Sequence, residues 1–99
     1  MTYLEWLNEL APEVSENIRI TLLENRDISP WGSYTSGQDI ELAEADLYMY
    51  MTRVPEFKEG SLSIKYDLSS LKQAANDIYK LYGDARYNSG EPLIRSVNL

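Results

Sequence analysis

Few side chains in this sequence could carry out catalysis. Histidine and cysteine are absent from all 99 residues, which removes the commonest general base, the commonest zinc ligand and any disulfide. Ser69 and Lys72 have the Ser-x-x-Lys spacing of some serine–lysine enzymes, but the supporting motifs of those enzymes are missing. We interpret these serines as residues of a first helical turn. The sequence therefore predicts no catalytic residue.

Clustered carboxylates are the remaining candidates for chemistry. The pattern Glu41-x-x-Glu44-x-Asp46 puts the two glutamates on one helix face, but di-iron sites of this kind also use histidine. Glycosidases need two acids across a cleft, for which a small helical domain has little room. We interpret the cluster as a solvated helix face. The sequence also lacks a twelve-residue calcium loop and glycine-rich phosphate loops, so we expect no metal, no cofactor and no small-molecule substrate.

The charge of the chain is unevenly distributed. The net charge is −7, with ten acids and two bases in residues 1–50 and six acids and seven bases in residues 51–99. Such an acidic chain is a poor binder of nucleic-acid phosphates. The asymmetry fits a solvated acidic face, or two complementary patches that meet head-to-tail between copies. A third interpretation is an acidic mimic of nucleic acid that occupies a host protein.

Capping signals and apolar spacing predict the first two helices. Thr2 and Glu5 fit a capping box, which predicts a helix from Tyr3 to about Leu10. Pro12 suits the first turn of a second helix, which should run to about Arg26. The apolar positions expected to hold this helix to the core are Val14, Ile18, Leu22 and Leu23. Residues 27–38 are rich in helix-breaking residues and predict a loop.

Two longer helices are predicted after the loop. Asp39 is a suitable N-cap for a helix from Ile40 to about Val54, and Asp67 caps a fourth from Leu68 to about Tyr82, closed by a glycine. The predicted buried face of the third helix comprises Ile40, Ala43, Leu47, Tyr50, Met51 and Val54. The predicted buried face of the fourth comprises Leu68, Leu71, Ala75, Ile78 and Tyr82.

The remaining segments complete the predicted fold. Residues 61–66 alternate polar and apolar side chains, as an extended segment with one buried face does. Residues 84–99 lack a helical period and predict a loose arm or one that docks on a partner. We therefore expect one small all-α (α-dominated) domain over residues 1–99, with about four helices, one short extended segment and a loose C-terminal arm.

Aromatic and apolar residues outside the helices are the candidate interface. Tyrosine and tryptophan combine a large apolar body with a polar atom, which suits protein interfaces. Trp31 and Tyr34 lie in the loop, where they either contact a partner or fold back on the domain's own core. The full set of candidate interface residues is Trp31, Tyr34, Leu62, Ile64, Tyr66, Leu93, Ile94 and Val97.

Part of the chain has a familiar pattern. Residues 42–84 contain a PEF-EG turn, an SLSI-Y-D segment and a helix with A-N-x-I-Y-x-x-Y-G. The residues of this pattern are Pro55, Glu56, Phe57, Glu59, Gly60, Ser61, Leu62, Ser63, Ile64, Tyr66, Asp67, Ala75, Asn76, Ile78, Tyr79, Tyr82 and Gly83. This stretch resembles small proteins of phages and prophages of Bacteroides-type bacteria, which look similar to head–tail connector and head-completion proteins.

The resemblance implies a function that needs no catalysis. Connector-type proteins assemble as rings between portal and tail, through contacts with copies of themselves and with other virion proteins. The N-terminus lacks a signal-peptide pattern and no stretch is apolar enough to span a membrane, so we expect a protein of the bacterial host cytoplasm or the virion. The alternative is an acidic regulatory binding module, such as a host-protein inhibitor or DNA mimic.

Overall fold

The computed structural model of the protein describes residues 1–54 and 67–84. They form four helices: α1 (Tyr3–Leu10), α2 (Glu16–Glu24), α3 (Gln38–Arg53) and α4 (Leu68–Tyr82). Within these residues the only β-structure is one isolated bridge between Thr2 and Ser33, so the fold is all-α, as predicted. The predicted extended segment at 61–66 lies outside the described residues, as does the predicted arm beyond Asp84.

Helix α1 begins with the predicted capping box. The Thr2 hydroxyl accepts from the Glu5 amide at 3.1 Å, and the Glu5 carboxylate accepts from the Thr2 amide at 2.7 Å. Hydrogen bonding to Thr2, from its amide foremost, lowers the pKa of the Glu5 carboxyl below its usual value. The cap therefore satisfies two amides that the helix itself leaves unpaired.

Helix α2 is shorter at both ends than the sequence predicts. Ser15 caps it by accepting from the Ile18 amide, so Pro12 lies in a preceding turn instead of in the helix. The helix ends at Glu24 because Asp27 adopts a left-handed backbone conformation, with φ 59°. The Ile28 amide then reaches back to the Leu23 carbonyl at 3.0 Å, which is the closing bond of a Schellman motif.

Helix α3 starts earlier than predicted, and α4 matches its prediction. Gly37, not Asp39, is the N-cap of α3, and no side chain forms a capping hydrogen bond at this helix start. Asp39 lies instead in the first turn, where its charge favours the positive end of the helix dipole. Asp67 caps α4 by accepting from the Ser69 and Ser70 amides, and Gly83 closes it in the left-handed conformation.

Helix α3 is buried on two sides, whereas the sequence predicts one buried face. α1 packs on α2, α2 on α3, and α4 along α3. One cluster lies between α1, α2 and α3, with buried residues Leu4, Leu7, Ala11, Val14, Leu23, Ile28, Ile40, Ala43, Leu47 and Met51. A second cluster lies between α3 and α4, with buried residues Leu42, Ala45, Ala75 and Tyr79. In α4 the fully buried aromatic residue is Tyr79, and the predicted Ile78 and Tyr82 are half-buried.

The loop between α2 and α3 is fixed to the start of α1. The first amides of a helix lack partners within it, and here the Tyr3 amide donates to the Gly32 carbonyl and the Leu4 amide to the Pro30 carbonyl, both at 3.0 Å. The Tyr34 amide donates to the Met1 carbonyl at 2.8 Å. The backbone on both sides of Trp31 is therefore held in place.

Candidate functional site

The three carboxylates of the Glu41-x-x-Glu44-x-Asp46 pattern join α3 to its neighbours. Glu41 accepts from the Tyr82 hydroxyl at 3.0 Å, and Glu44 accepts from the Trp6 indole N–H at 2.7 Å. Asp46 accepts from the Tyr79 hydroxyl at 2.6 Å. The interpretation of this cluster as a solvated face is therefore wrong, because its acids are hydrogen bonded to distant aromatic residues.

Asp46 belongs to a charged cluster with little access to solvent. Arg26 donates to both carboxylate oxygens of Asp46, at 2.8 and 3.0 Å, and to Asp84 at 2.8 Å. The exposed fractions of these side chains are 11% for Arg26, 8% for Asp46 and 13% for Asp84. Their hydrogen bonds, that to Asp46 foremost, raise the pKa of Arg26. The cluster ties the turn after α2 to α3 and to Asp84, two residues beyond the end of α4.

Glu44 is an acid of α3 whose ionisation is disfavoured by burial. Burial raises the pKa of the Glu44 carboxyl, the Trp6 N–H partly offsets that rise, and the charge of Glu41 adds to it. Burial also raises the pKa of the neighbouring Tyr48 hydroxyl. Since all these groups bond or pack within the protein, their arrangement stabilises the fold.

The serines at the start of α4, Ser69 and Ser70, lie in its first turn, as predicted. The Ser70 hydroxyl donates to the Asp67 carboxylate at 2.8 Å, so it belongs to the cap of α4. Hydrogen bonds from Ser70, that of its hydroxyl foremost and then that of its amide, lower the pKa of the Asp67 carboxyl. Among residues 1–54 and 67–84, no three acidic side chains gather into a group that could hold a metal ion.

The structure places the two loop aromatics in different environments. Tyr34 is half-buried: its ring stacks on that of Trp6 at 4.6 Å between centroids and meets Tyr3 edge-on at 5.8 Å. Trp31 is 64% exposed. Tyr34 therefore packs against its own domain, while Trp31 presents its indole at the surface. The other candidate interface residues, Leu62, Ile64, Tyr66, Leu93, Ile94 and Val97, lie outside the described residues.

A cavity of about 350 Å³ opens beside Trp31 and is also lined by Arg19. Arg19 is only 8% exposed and is not among the predicted site residues. The signal that could have found it is its position four residues before the buried Leu23, on the same face of α2. The apolar spacing of Ile18 and Leu22 is a stronger signal, and it predicts that a neighbouring face of α2 is the buried one.

Sequence comparison places the chain in a family. The model of a family of unknown function, DUF6706, matches residues 1–98. The chain belongs to the DUF6706 family. The matched residues include all four helices and every residue that lines the Trp31 cavity.

Other comparisons add no relative to this DUF6706 chain. Neither the curated proteins nor the solved structures give a match. None of the helices in the described part of the chain has the length and apolar character that crossing a bilayer requires.

Proposed function

We propose that this protein is a non-catalytic structural or assembly component of a phage or prophage virion, of head–tail connector type, that acts through protein–protein contacts. The observation that carries the proposal is the exposed indole of Trp31 on a fixed backbone. Tryptophan is highly buried on average, and it is among the residues that contribute most to binding at interfaces.

The backbone at Trp31 supports a contact role. The carbonyls of Pro30 and Gly32 both accept from amides of α1, and Pro30 is itself buried. A loop whose backbone is already fixed loses little further conformational freedom when a partner covers it, so more of the contact energy appears as affinity. A non-catalytic role is also supported by Glu41, Glu44 and Asp46, each of which bonds to an aromatic residue of another helix.

The choice of a virion component rests on the resemblance of residues 42–84 to small phage and prophage proteins. Ring proteins of the connector class need complementary faces on neighbouring copies. The acidic first half and the slightly basic second half of the chain, at −8 and +1, would supply such faces. The setting would be the host cytoplasm during assembly and the virion afterwards.

The charge of the first half also favours a second candidate, an acidic module that binds and inhibits one host protein. Native mass spectrometry of the purified full-length chain separates the two. A closed oligomer of defined copy number supports the connector, whereas a monomer at all concentrations contradicts it and favours the inhibitor. Portal, capsid or tail genes beside the coding gene would support the connector independently.

A further inference from the structure

Arg19 is largely buried, and among residues 1–54 and 67–84 no carboxylate lies within ion-pair distance of it. Its Nε donates to the Val14 carbonyl at 3.2 Å, while within residues 1–54 and 67–84 both ion pairs are made by Arg26. Arg19 lines the cavity beside Trp31. A guanidinium that lacks an ion pair can form strong, charge-assisted hydrogen bonds with a carboxylate.

We propose that the cavity beside Trp31 is a carboxylate-recognition site, in which Arg19 binds an aspartate or glutamate side chain of a partner protein while Trp31 packs on the segment that carries it. The site deepens the proposed function and rests on it, because Trp31 is the contact residue in both. Arginine suits the role because its planar fork matches the two oxygens of a carboxylate.

The acidic side chains of the cavity lining disfavour a small free carboxylate and so favour one that is carried on a protein segment. Glu5 and Glu16 also line the cavity and repel small free anions. A segment offsets that repulsion in two ways: its apolar side chains bury part of Trp31, and a basic residue beside its acid pairs with Glu16. The Asn8 amide on the same lining adds a hydrogen-bond donor for the carboxylate.

The test compares two peptides on the full-length wild-type protein. Both are five residues long with blocked ends, lysine at each end and leucine inside each lysine; one has a central glutamate and the other a central glutamine. Binding is followed by titration calorimetry. We expect the glutamate peptide to bind at least about tenfold more tightly, as loss of one charge-assisted bond implies. Equal affinities, or no binding of either peptide at millimolar concentration, would overturn the proposal.

Variants locate the recognition at Arg19. Arg19→Met keeps the length and apolar stem of the side chain and should remove the preference for the glutamate peptide. Arg53→Met is the matched control, because Arg53 is exposed on α3 and does not line the cavity, and it should keep the preference. A preference that survives in Arg19→Met, with helical circular dichroism unchanged, contradicts the assignment. If Arg19→Met does not fold, the comparison of peptides on the wild-type protein still decides.

Free glutamate is the last ligand to be tested for binding to the wild-type protein. We expect it to bind far more weakly than the peptide, and binding as tight as that of the peptide would contradict recognition of a protein segment. The two proposals fail separately: a Trp31-dependent oligomer without glutamate preference removes the carboxylate site and leaves the connector role. Glutamate preference in a strict monomer leaves the site and removes the connector.

Discussion

Arg26 and Asp46 form a two-point ion pair that joins the turn after α2 to the middle of α3. Arg26 Nε lies 2.8 Å from Asp46 Oδ2, and Nη2 lies 3.0 Å from Oδ1. The Tyr79 hydroxyl donates to the same carboxylate from α4. One side chain of α3 thus holds an element on each side of the helix, and such bidentate charged bonds also fix the geometry of the groups they join.

Replacing Asp46 should therefore weaken the whole helical assembly. Asp46→Asn removes the charge opposite Arg26 and should lower the free energy of unfolding by about 2 kcal/mol, since Asp84 still pairs with the arginine. Tyr79→Phe keeps the buried ring and should cost about 1 kcal/mol. Urea denaturation followed by circular dichroism measures both changes.

The control for that experiment is Asp77→Asn, which makes the same change on the exposed face of α4. It should change the free energy of unfolding by less than about 0.5 kcal/mol. An equal loss of stability in Asp46→Asn and Asp77→Asn would show that the ion pair does not hold the helices together.

Glu44 should make the stability of the fold depend on pH. Burial raises the pKa of Glu44 in the folded state above its value in the unfolded chain. At a pH between these two values, the folded protein keeps a proton that the unfolded chain has released. Stability contributed by this group is thus greatest below the unfolded pKa and falls as pH rises through the raised folded value. Glu44→Gln removes the dependence and still accepts from Trp6.

We expect Glu44→Gln to raise the free energy of unfolding at neutral pH by about 0.5 kcal/mol, a small gain because the side chain keeps some solvent exposure. Glu9→Gln, on the exposed side of α1, is the control and should leave the profile as in the wild type. Denaturation series from mildly acidic to neutral pH measure the effect, and a Glu44→Gln profile parallel to that of the wild type would refute it.

Replacing Asp27 with glycine should stabilise the fold. Its left-handed conformation, φ 59°, is strained for a side chain with a Cβ, and its charge lies near the negative end of α2. Asp27→Gly should raise the free energy of unfolding by about 0.5–1 kcal/mol. Asp27→Asn separates the two causes, because it removes the charge and keeps the Cβ.

A substitution to glycine should instead destabilise the protein where the backbone is helical. Lys72→Gly, on the exposed face of α4, should lower the free energy of unfolding by about 1 kcal/mol. Thermal denaturation of all three variants compares them directly. A loss of stability in Asp27→Gly would mean that the Asp27 side chain contributes more than its conformation costs.

Local signals in the sequence predicted local structure well. The capping box at Thr2, the cap at Asp67 and the closing Gly83 depend on neighbours within a few residues, and all three are confirmed. The start of α2 was wrong because Pro12 and Ser15 are both acceptable near a helix start. Tertiary contacts decide between them: Val14 is buried in the first cluster before the helix begins.

The site depends on partners that are distant in the sequence. Trp6 and Glu44 are 38 residues apart, and Asp46 and Tyr79 are 33 apart, so spacing along one helix could not reveal that these acids are bonded. The exposure of Trp31 likewise follows from the hydrogen bonds that fix its loop to α1. Arg19 escaped attention because charged residues are rarely buried.

The central claim is that the protein works through contacts made at Trp31. Sedimentation velocity of the wild-type chain and of Trp31→Ala, at matched concentrations, tests it most directly. We predict a defined oligomer for the wild type and a shift toward monomer for the variant, with helical content and unfolding free energy unchanged because the side chain is exposed. Identical distributions for the two proteins would contradict the claim.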